Sequence, residues 1–269
     1  MLVDPPVQKA DVSLNPKITS WKGQRIWIVG ASSGIGASLA RRLINEGARV
    51  ALSARSQDRL REIASDTDAL VCPLDVTDAE SVRHAANEIE NAWQGIDLTL
   101  IVAGTHEEMR ADSFNMERAR RLIDVNLMGV LHCLDVVLPQ LLARRSGGVA
   151  IVSSVAGYRG LSMALVYGPT KAALINLAES LYLDVHDRGI GVYLINPGFV
   201  DTPLTRRNRF EMPALVQPEE AARQIMDGIA RGEFEIHFPK RFTALLKFLR
   251  CVPYAAYFAA LRLATRQLK

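Results

Sequence analysis

The tightest constraint on what this 269-residue chain can fold into is a set of three glycines wedged between two apolar patterns. Arg25-Ile-Trp-Ile-Val29 is a short apolar run, suited to a strand covered on both faces. Gly30-Ala-Ser-Ser-Gly34-Ile-Gly36 follows directly, and then Ile35, Leu39 and Leu43 recur every four residues, as one face of a helix does. Gly47 ends that helix and Arg49-Val-Ala-Leu-Ser53 supplies the next strand. Two parallel strands joined by a helix within about thirty residues form a βαβ crossover, which demands a sheet with helices packed against it. Glycines at such a strand-to-helix turn let the backbone approach a pyrophosphate, held by exposed N–H groups and the positive end of the helix. Glycine spacing alone is a weak signal, but here the flanking elements stand where the motif needs them.

The alternation continues along the chain. Strands are predicted at 70–74, 98–103, 148–152, 191–195 and 234–238. Helices are predicted at 77–93, with Thr77 as N-cap and Glu80 at the capping-box position, and at 116–145, 166–188 and 218–231. This reads as an α/β protein with one Rossmann-type, doubly wound parallel sheet and helices on both faces. The expected organisation is an N-terminal arm at 1–24, a catalytic domain at 25–239 and a basic amphipathic tail at 240–269. There is no internal repeat, and no uninterrupted apolar run of about 18 residues to suggest a membrane span.

Cys72, Cys133 and Cys251 are too few and too scattered for a disulfide framework or a thiolate metal site, which favours a reducing, cytoplasmic setting. The five histidines show no ligand spacing, so no metal is expected. The proline-bearing start, with no apolar run, does not read as a signal peptide. Net charge is +3, yet residues 240–269 carry seven basic residues and no acid, leaving a net −4 for the rest. That asymmetry suggests an anionic surface as partner.

Dinucleotide sites that prefer NAD commonly place an acid after the second strand, against the ribose hydroxyls. Here Ser53-Ala54-Arg55 offers none, and the Arg55 guanidinium suits a 2′-phosphate, so NADP is expected over NAD. Tyr167 and Lys171 lie four apart on one helix face. A phenol with a pKa near ~10 needs a neighbouring cation to shuttle protons at neutral pH. Ser153 and Ser154 end a buried strand, at the carboxyl edge where ligands sit in such sheets.

Taken together, these motifs resemble the short-chain dehydrogenase/reductase family over about residues 25–238. The resemblance rests on Gly30 to Gly36, Asp75-Val76, Ala103-Gly104, Asn126, Ser154, Tyr167-Gly-Pro-Thr-Lys171 and Asn196-Pro-Gly198 continuing to Thr202. The family's serine lies about thirteen residues before its tyrosine, which selects Ser154 over Ser153. The resemblance implies that Tyr167 moves the proton, Ser154 orients the substrate oxygen, and Lys171 holds the nicotinamide ribose and lowers the phenol pKa. It implies that Asn126 positions a water leading from the lysine to solvent. Cofactor contacts are expected from Gly30, Ser32, Ser33, Gly34, Ile35, Gly36 and Arg55. Further contacts are expected from Asp75, Val76, Ala103, Gly104, Pro197, Gly198, Val200 and Thr202. Two departures stand out: Ile101-Val102 replaces the family's paired asparagines, and Val29 replaces its threonine before the first glycine.

The resemblance implies that residues 203–213 form a lid over the substrate, where Arg206, Arg207 and Arg209 are either solvated or face an anionic substrate group. In the tail, Phe242, Leu245, Leu246, Leu249 and Val252 follow helical spacing, Pro253 breaks it, and Tyr254, Tyr257, Phe258, Leu261 and Leu268 continue. Such a helix either lies on an anionic membrane surface or packs on the body or a dimer partner. The leading expectation is an NADP-dependent carbonyl reductase or alcohol dehydrogenase for an apolar or lipid-like substrate, working as a homodimer or homotetramer. The alternatives are an NAD-linked or 3-oxoacyl-thioester reductase, or a non-catalytic cofactor-binding regulator or membrane scaffold. Nucleic acid is not expected as a partner, because no recognised motif accompanies the basic tail.

Overall fold

A computed structural model describes residues 13–207 and 212–266. Its centre is a seven-stranded, all-parallel sheet in the order β3-β2-β1-β4-β5-β6-β7. The strands are β1 (Arg25–Val29), β2 (Arg49–Ser53), β3 (Leu70–Val71), β4 (Leu98–Ile101), β5 (Gly148–Val152), β6 (Gly191–Pro197) and β7 (Glu235–Phe238). Side chains alternate across each strand, so β1 feeds both layers of core: Trp27 and Val29 on one side, Ile26 and Ile28 on the other. That is why its sequence is apolar without alternation. Trp27 Nε1 donates to Ser53 Oγ at 2.9 Å, and Ser53 donates on to Cys72 O at 2.6 Å, so both of these buried side chains are satisfied.

The helices are α1 (Gly34–Asn45), α2 (Gln57–Ala64), α3 (Ala79–Trp93), α4 (Met116–Ile123), α5 (Gly129–Arg144), α6 (Tyr167–Val185), α7 (Pro218–Ala230), α8 (Lys240–Phe248) and α9 (Tyr254–Arg266). Three differences from the sequence reading have local causes. The cap of α3 is Asp78 rather than Thr77; its carboxylate accepts from the Glu80 and Ser81 amides, while Thr77 is tied into a turn by Asp75. The long helix at 116–145 is interrupted by a π-turn at Asp124–Met128, which swings Asn126 inward. The short α2, polar along most of its length, had no periodic signal strong enough to register.

The stretch Met116–Arg144 is long and apolar enough to cross a membrane by length and composition. Its Val130, Cys133, Leu134, Val137 and Leu141 nevertheless bury in the core, so it acts as a covering layer of the sheet. The described part of the N-terminal arm packs on the body. Asn15 exchanges two hydrogen bonds with the Val192 backbone, and Tyr193 donates to Pro16 O at 2.7 Å.

Candidate active site

The strand order reverses between β1 and β4, and ligands of such sheets bind in the crevice that opens there, beyond the carboxyl ends. Gly30 leaves β1 with φ +97°, and an added Cβ would stand 2.5 Å from the Ala103 amide nitrogen. A side chain at Gly36 would meet the Gly30 carbonyl oxygen at 2.1 Å, so α1 can start only because that position is bare. A side chain at Gly34 would strike Thr202, so the turn lies against the segment after β6. The first turn of α1 holds no acid, and Ser33 makes no side-chain cap, so its amides face outward uncapped. This cradle fits a pyrophosphate.

Around it, Arg55 is exposed just past β2. Asp75 is half-buried and bonded to Thr77. Val76 is buried against Gly129, and its carbonyl meets His132 Nδ1 at 2.8 Å. Val200 is buried, and its carbonyl accepts from Thr205 Oγ1 at 2.5 Å. Ser32, Ile35, Ala103, Gly198 and Thr202 are partly accessible, Gly104 is exposed and Pro197 is buried.

The proposed catalytic residues converge at the same edge. Ser154 lies just beyond β5 and caps the following turn, its Oγ accepting from the Ala156 amide at 3.1 Å. Its neighbour Ser153 is buried and donates to Lys171 O at 2.7 Å, which makes it a structural brace and leaves Ser154 to face the cleft. Tyr167 opens α6 and is hydrogen-bonded to Ser154. Lys171 follows one turn later, 4% exposed, with Nζ 5.9 Å from the centre of the Tyr167 ring and donating to Val152 O at 3.0 Å. Asn126 is buried in the π-turn, where it accepts from the Thr105 amide at 2.7 Å and donates to Thr105 O and Thr170 Oγ1. A Cβ on Gly104 would lie 3.4 Å from Asn126 Oδ1 and 3.5 Å from Lys171 Nζ, so these three residues meet at one point.

Burial dominates the electrostatics. It pushes the Tyr167 phenol above its ordinary range, and the Ser154 hydrogen bond only partly opposes it. The same burial pulls the Lys171 ammonium down to about 8. The lowered phenol expected from Lys171 is therefore not a property of the protein alone, because the desolvation of the phenolate outweighs the help it receives.

His106 was not identified from the sequence as part of this site. Its ring packs edge-on against Tyr167 with centroids 4.6 Å apart. Backbone bonds between Met109 and the 163–165 segment help hold it there. Burial lowers the His106 pKa against the pull of Glu108 and Glu107. No local pattern around 106 could reveal this, since the contact spans about sixty residues of chain. Of the arginines at 203–213, Arg206 is paired with Asp201 at 2.8 Å, whereas Arg209 lies outside the described residues. A separate recess of about 420 Å³, lined by Pro16, Gln24, Asp97 and Gly148 among others, lies at the opposite edge of the sheet, away from Tyr167.

An all-parallel sheet with a glycine turn at its switch point and a Ser–Tyr–Lys set on the same edge defines a dinucleotide-dependent oxidoreductase architecture. A family profile described as short chain dehydrogenase matches residues 24–212, and the chain belongs to the short-chain dehydrogenase/reductase family. It is 35% identical over 240 residues to an uncharacterized oxidoreductase of Myxococcus xanthus, covering 87% of this chain and 95% of that one. Among solved structures it resembles a short-chain dehydrogenase from Streptomyces avermitilis, with TM-score 0.79 and 23% identity over 92% of this chain and all of the other. It also resembles a short-chain dehydrogenase/reductase mutant from Serratia marcescens, with TM-score 0.71 and 24% identity, covering 81% and 97% of the two chains.

Proposed function

We propose that this oxidoreductase interconverts a carbonyl and an alcohol on an apolar, lipid-like substrate, with NADP as its cofactor. The observation that carries the reading is the Ser154–Tyr167–Lys171 set at the edge where the glycine turn opens, with Tyr167 hydrogen-bonded to Ser154 and both partly accessible, and with Lys171 buried behind them. The nicotinamide, when bound, supplies or accepts the hydride. In the reductive direction Tyr167 gives its hydroxyl proton to the substrate oxygen, and in the oxidative direction its phenolate takes the proton back. Ser154 donates a hydrogen bond to that oxygen and fixes its distance from Tyr167. Lys171 offers N–H donors to the ribose and keeps positive charge beside the phenolate. Asn126 braces the backbone on which a proton-carrying water would sit. Burial raises the Tyr167 phenol, so its ionisation would be favoured only with positive charge beside it, from Lys171 and from an oxidised nicotinamide when bound.

Arg55, exposed and without an acidic neighbour in Ser53-Ala54-Arg55, supports the choice of NADP. Ile123 at the end of α4, Met128 in the π-turn and Leu183 on α6 are exposed apolar side chains, which supports association of two or four copies through this side of the molecule. The acid-free tail supports attachment to an anionic membrane surface of an otherwise cytoplasmic protein.

The test is fluorescence titration with NADPH and NADH, followed by a panel of medium-chain and lipid-like ketones, for wild type and Tyr167→Phe. NADPH should bind more tightly and be consumed on an apolar ketone. The variant should bind NADPH normally and lose about 10²–10⁴-fold in kcat. NADH preference would overturn the role of Arg55, and binding without turnover would favour a regulator.

A further inference from the structure

The tail is fastened to the loop that leaves the catalytic serine. Arg159, five residues beyond Ser154, stacks its guanidinium on Tyr257 at 4.0 Å and on Tyr254 at 4.9 Å. Its Nη1 also donates to the Val252 carbonyl at 2.6 Å and to the Leu249 carbonyl, closing the end of the α8 region. Tyr257, 2% exposed, returns a hydrogen bond from its hydroxyl to Gly160 O at 2.7 Å. On the same side Tyr158 donates to Glu235 at 2.6 Å, and Glu235 is paired with Lys247 of α8. A second attachment reaches the segment after β6. Phe242 packs on Phe199 with centroids 5.9 Å apart and touches Gly198. The α8–α9 pair is thus clamped to the loop after Ser154 and to the segment after β6.

Its other side is bare. Leu245, Phe248, Phe258 and Leu263 are exposed, with Arg241 exposed beside Leu245 on the outer side of α8. An isologous contact with a second copy through this face would set two acid-free cationic tails against each other. Apolar side chains interleaved with cations, and no anion, fit the boundary of an anionic lipid bilayer.

We propose that α8–α9 docks on an anionic bilayer and that Arg159 is a positioning residue, transmitting this docking to the loop after Ser154 so that lipid contact raises turnover. The proposal rests on the oxidoreductase reading only for its turnover arm. Docking immobilises the two helices, and the Arg159 clamp steadies the 155–160 loop and with it the Ser154 hydroxyl.

The full chain is mixed with vesicles of phosphatidylcholine alone or with phosphatidylglycerol added, then sedimented, and hydrogen exchange is followed in the 154–161 segment. Wild type should sediment with the anionic vesicles only, be released by high salt, and exchange more slowly in that segment when bound. A double variant, Leu245→Glu with Phe258→Glu, should bind the vesicles on the order of 100-fold more weakly and keep its NADPH affinity. Arg159→Gln should still sediment, yet lose both the exchange protection and the vesicle-dependent rise in kcat/KM. Tyr257→Phe, which deletes one hydrogen bond and leaves the stack, should lie between the two and guards against a misfolded Arg159 variant. Wild type that ignores anionic vesicles overturns the docking. Equal protection in wild type and Arg159→Gln overturns the positioning role. A double variant that loses its oligomeric state would assign the face to a second copy instead. If no ketone is reduced, the oxidoreductase reading fails while sedimentation and exchange still decide this proposal.

Discussion

Replacing Lys171 with methionine should stabilise the protein while abolishing turnover. Burial draws the ammonium from its ordinary 10.5 to about 8, so the fold holds a charge it disfavours. At about 1.4 kcal/mol per unit, that costs about 3 kcal/mol wherever the lysine is protonated in both states. The opposing contribution is the Nζ bond to Val152 O, whose loss costs about 1–2 kcal/mol. Methionine has similar length and no charge, so the net gain near neutral pH is about 1–2 kcal/mol, or about 2–8 °C for a domain of this size. The sign with pH follows from the depressed folded value. Between about 8 and 10.5 the unfolded chain keeps its proton while the folded one gives it up, so wild-type stability from this group rises across that window. The advantage of Lys171→Met should therefore be full below about pH 8 and vanish or reverse by about pH 10. Thermal unfolding of cofactor-free protein at several pH values, paired with NADPH-dependent turnover at pH 7, reads both halves. A variant less stable than wild type at pH 7, or a gap that does not change with pH, refutes the reasoning.

Gly36→Ala places a Cβ against the Gly30 carbonyl, with backbone on both sides; denaturant unfolding should show a loss of about 1–3 kcal/mol, together with weakened NADPH binding. Arg55→Asp should turn cofactor preference toward NADH, with about 10–100-fold lost on NADPH, read from paired fluorescence titrations. Asp78→Ala removes the cap that receives two amides at the start of α3 and should cost about 1 kcal/mol by urea unfolding, with kcat unchanged.

Local pattern made most of the framework legible. The glycine turn, the apolar strands and the four-residue step from Tyr167 to Lys171 are short-range signals, because hydrogen bonding and periodicity act over a few residues. Those signals placed β1, α1, β2 and α6 and brought the proposed catalytic trio to one edge of a parallel sheet. The choice of Ser154 over Ser153 came instead from the family resemblance; in the structure Ser153 is engaged with Lys171 O. Where two local options compete within a residue or two, as at Thr77 and Asp78, only the packed backbone decides which oxygen reaches the amides.

Tertiary structure decided whatever depends on distant segments meeting. Asn126 enters the site through a π-turn inside a helix whose sequence reads as continuous, and His106 meets Tyr167 across the fold. The burial that raises the phenol and depresses Lys171 is a sum over surrounding elements, which no local sequence window contains. The tail shows the division most plainly: its basic amphipathic character is written in the sequence, whereas its attachment to the loop after Ser154 exists only once Arg159 finds Tyr254 and Tyr257 some hundred residues away. Periodicity specifies which face of an element is apolar; what that face meets is set by the closure of the whole chain.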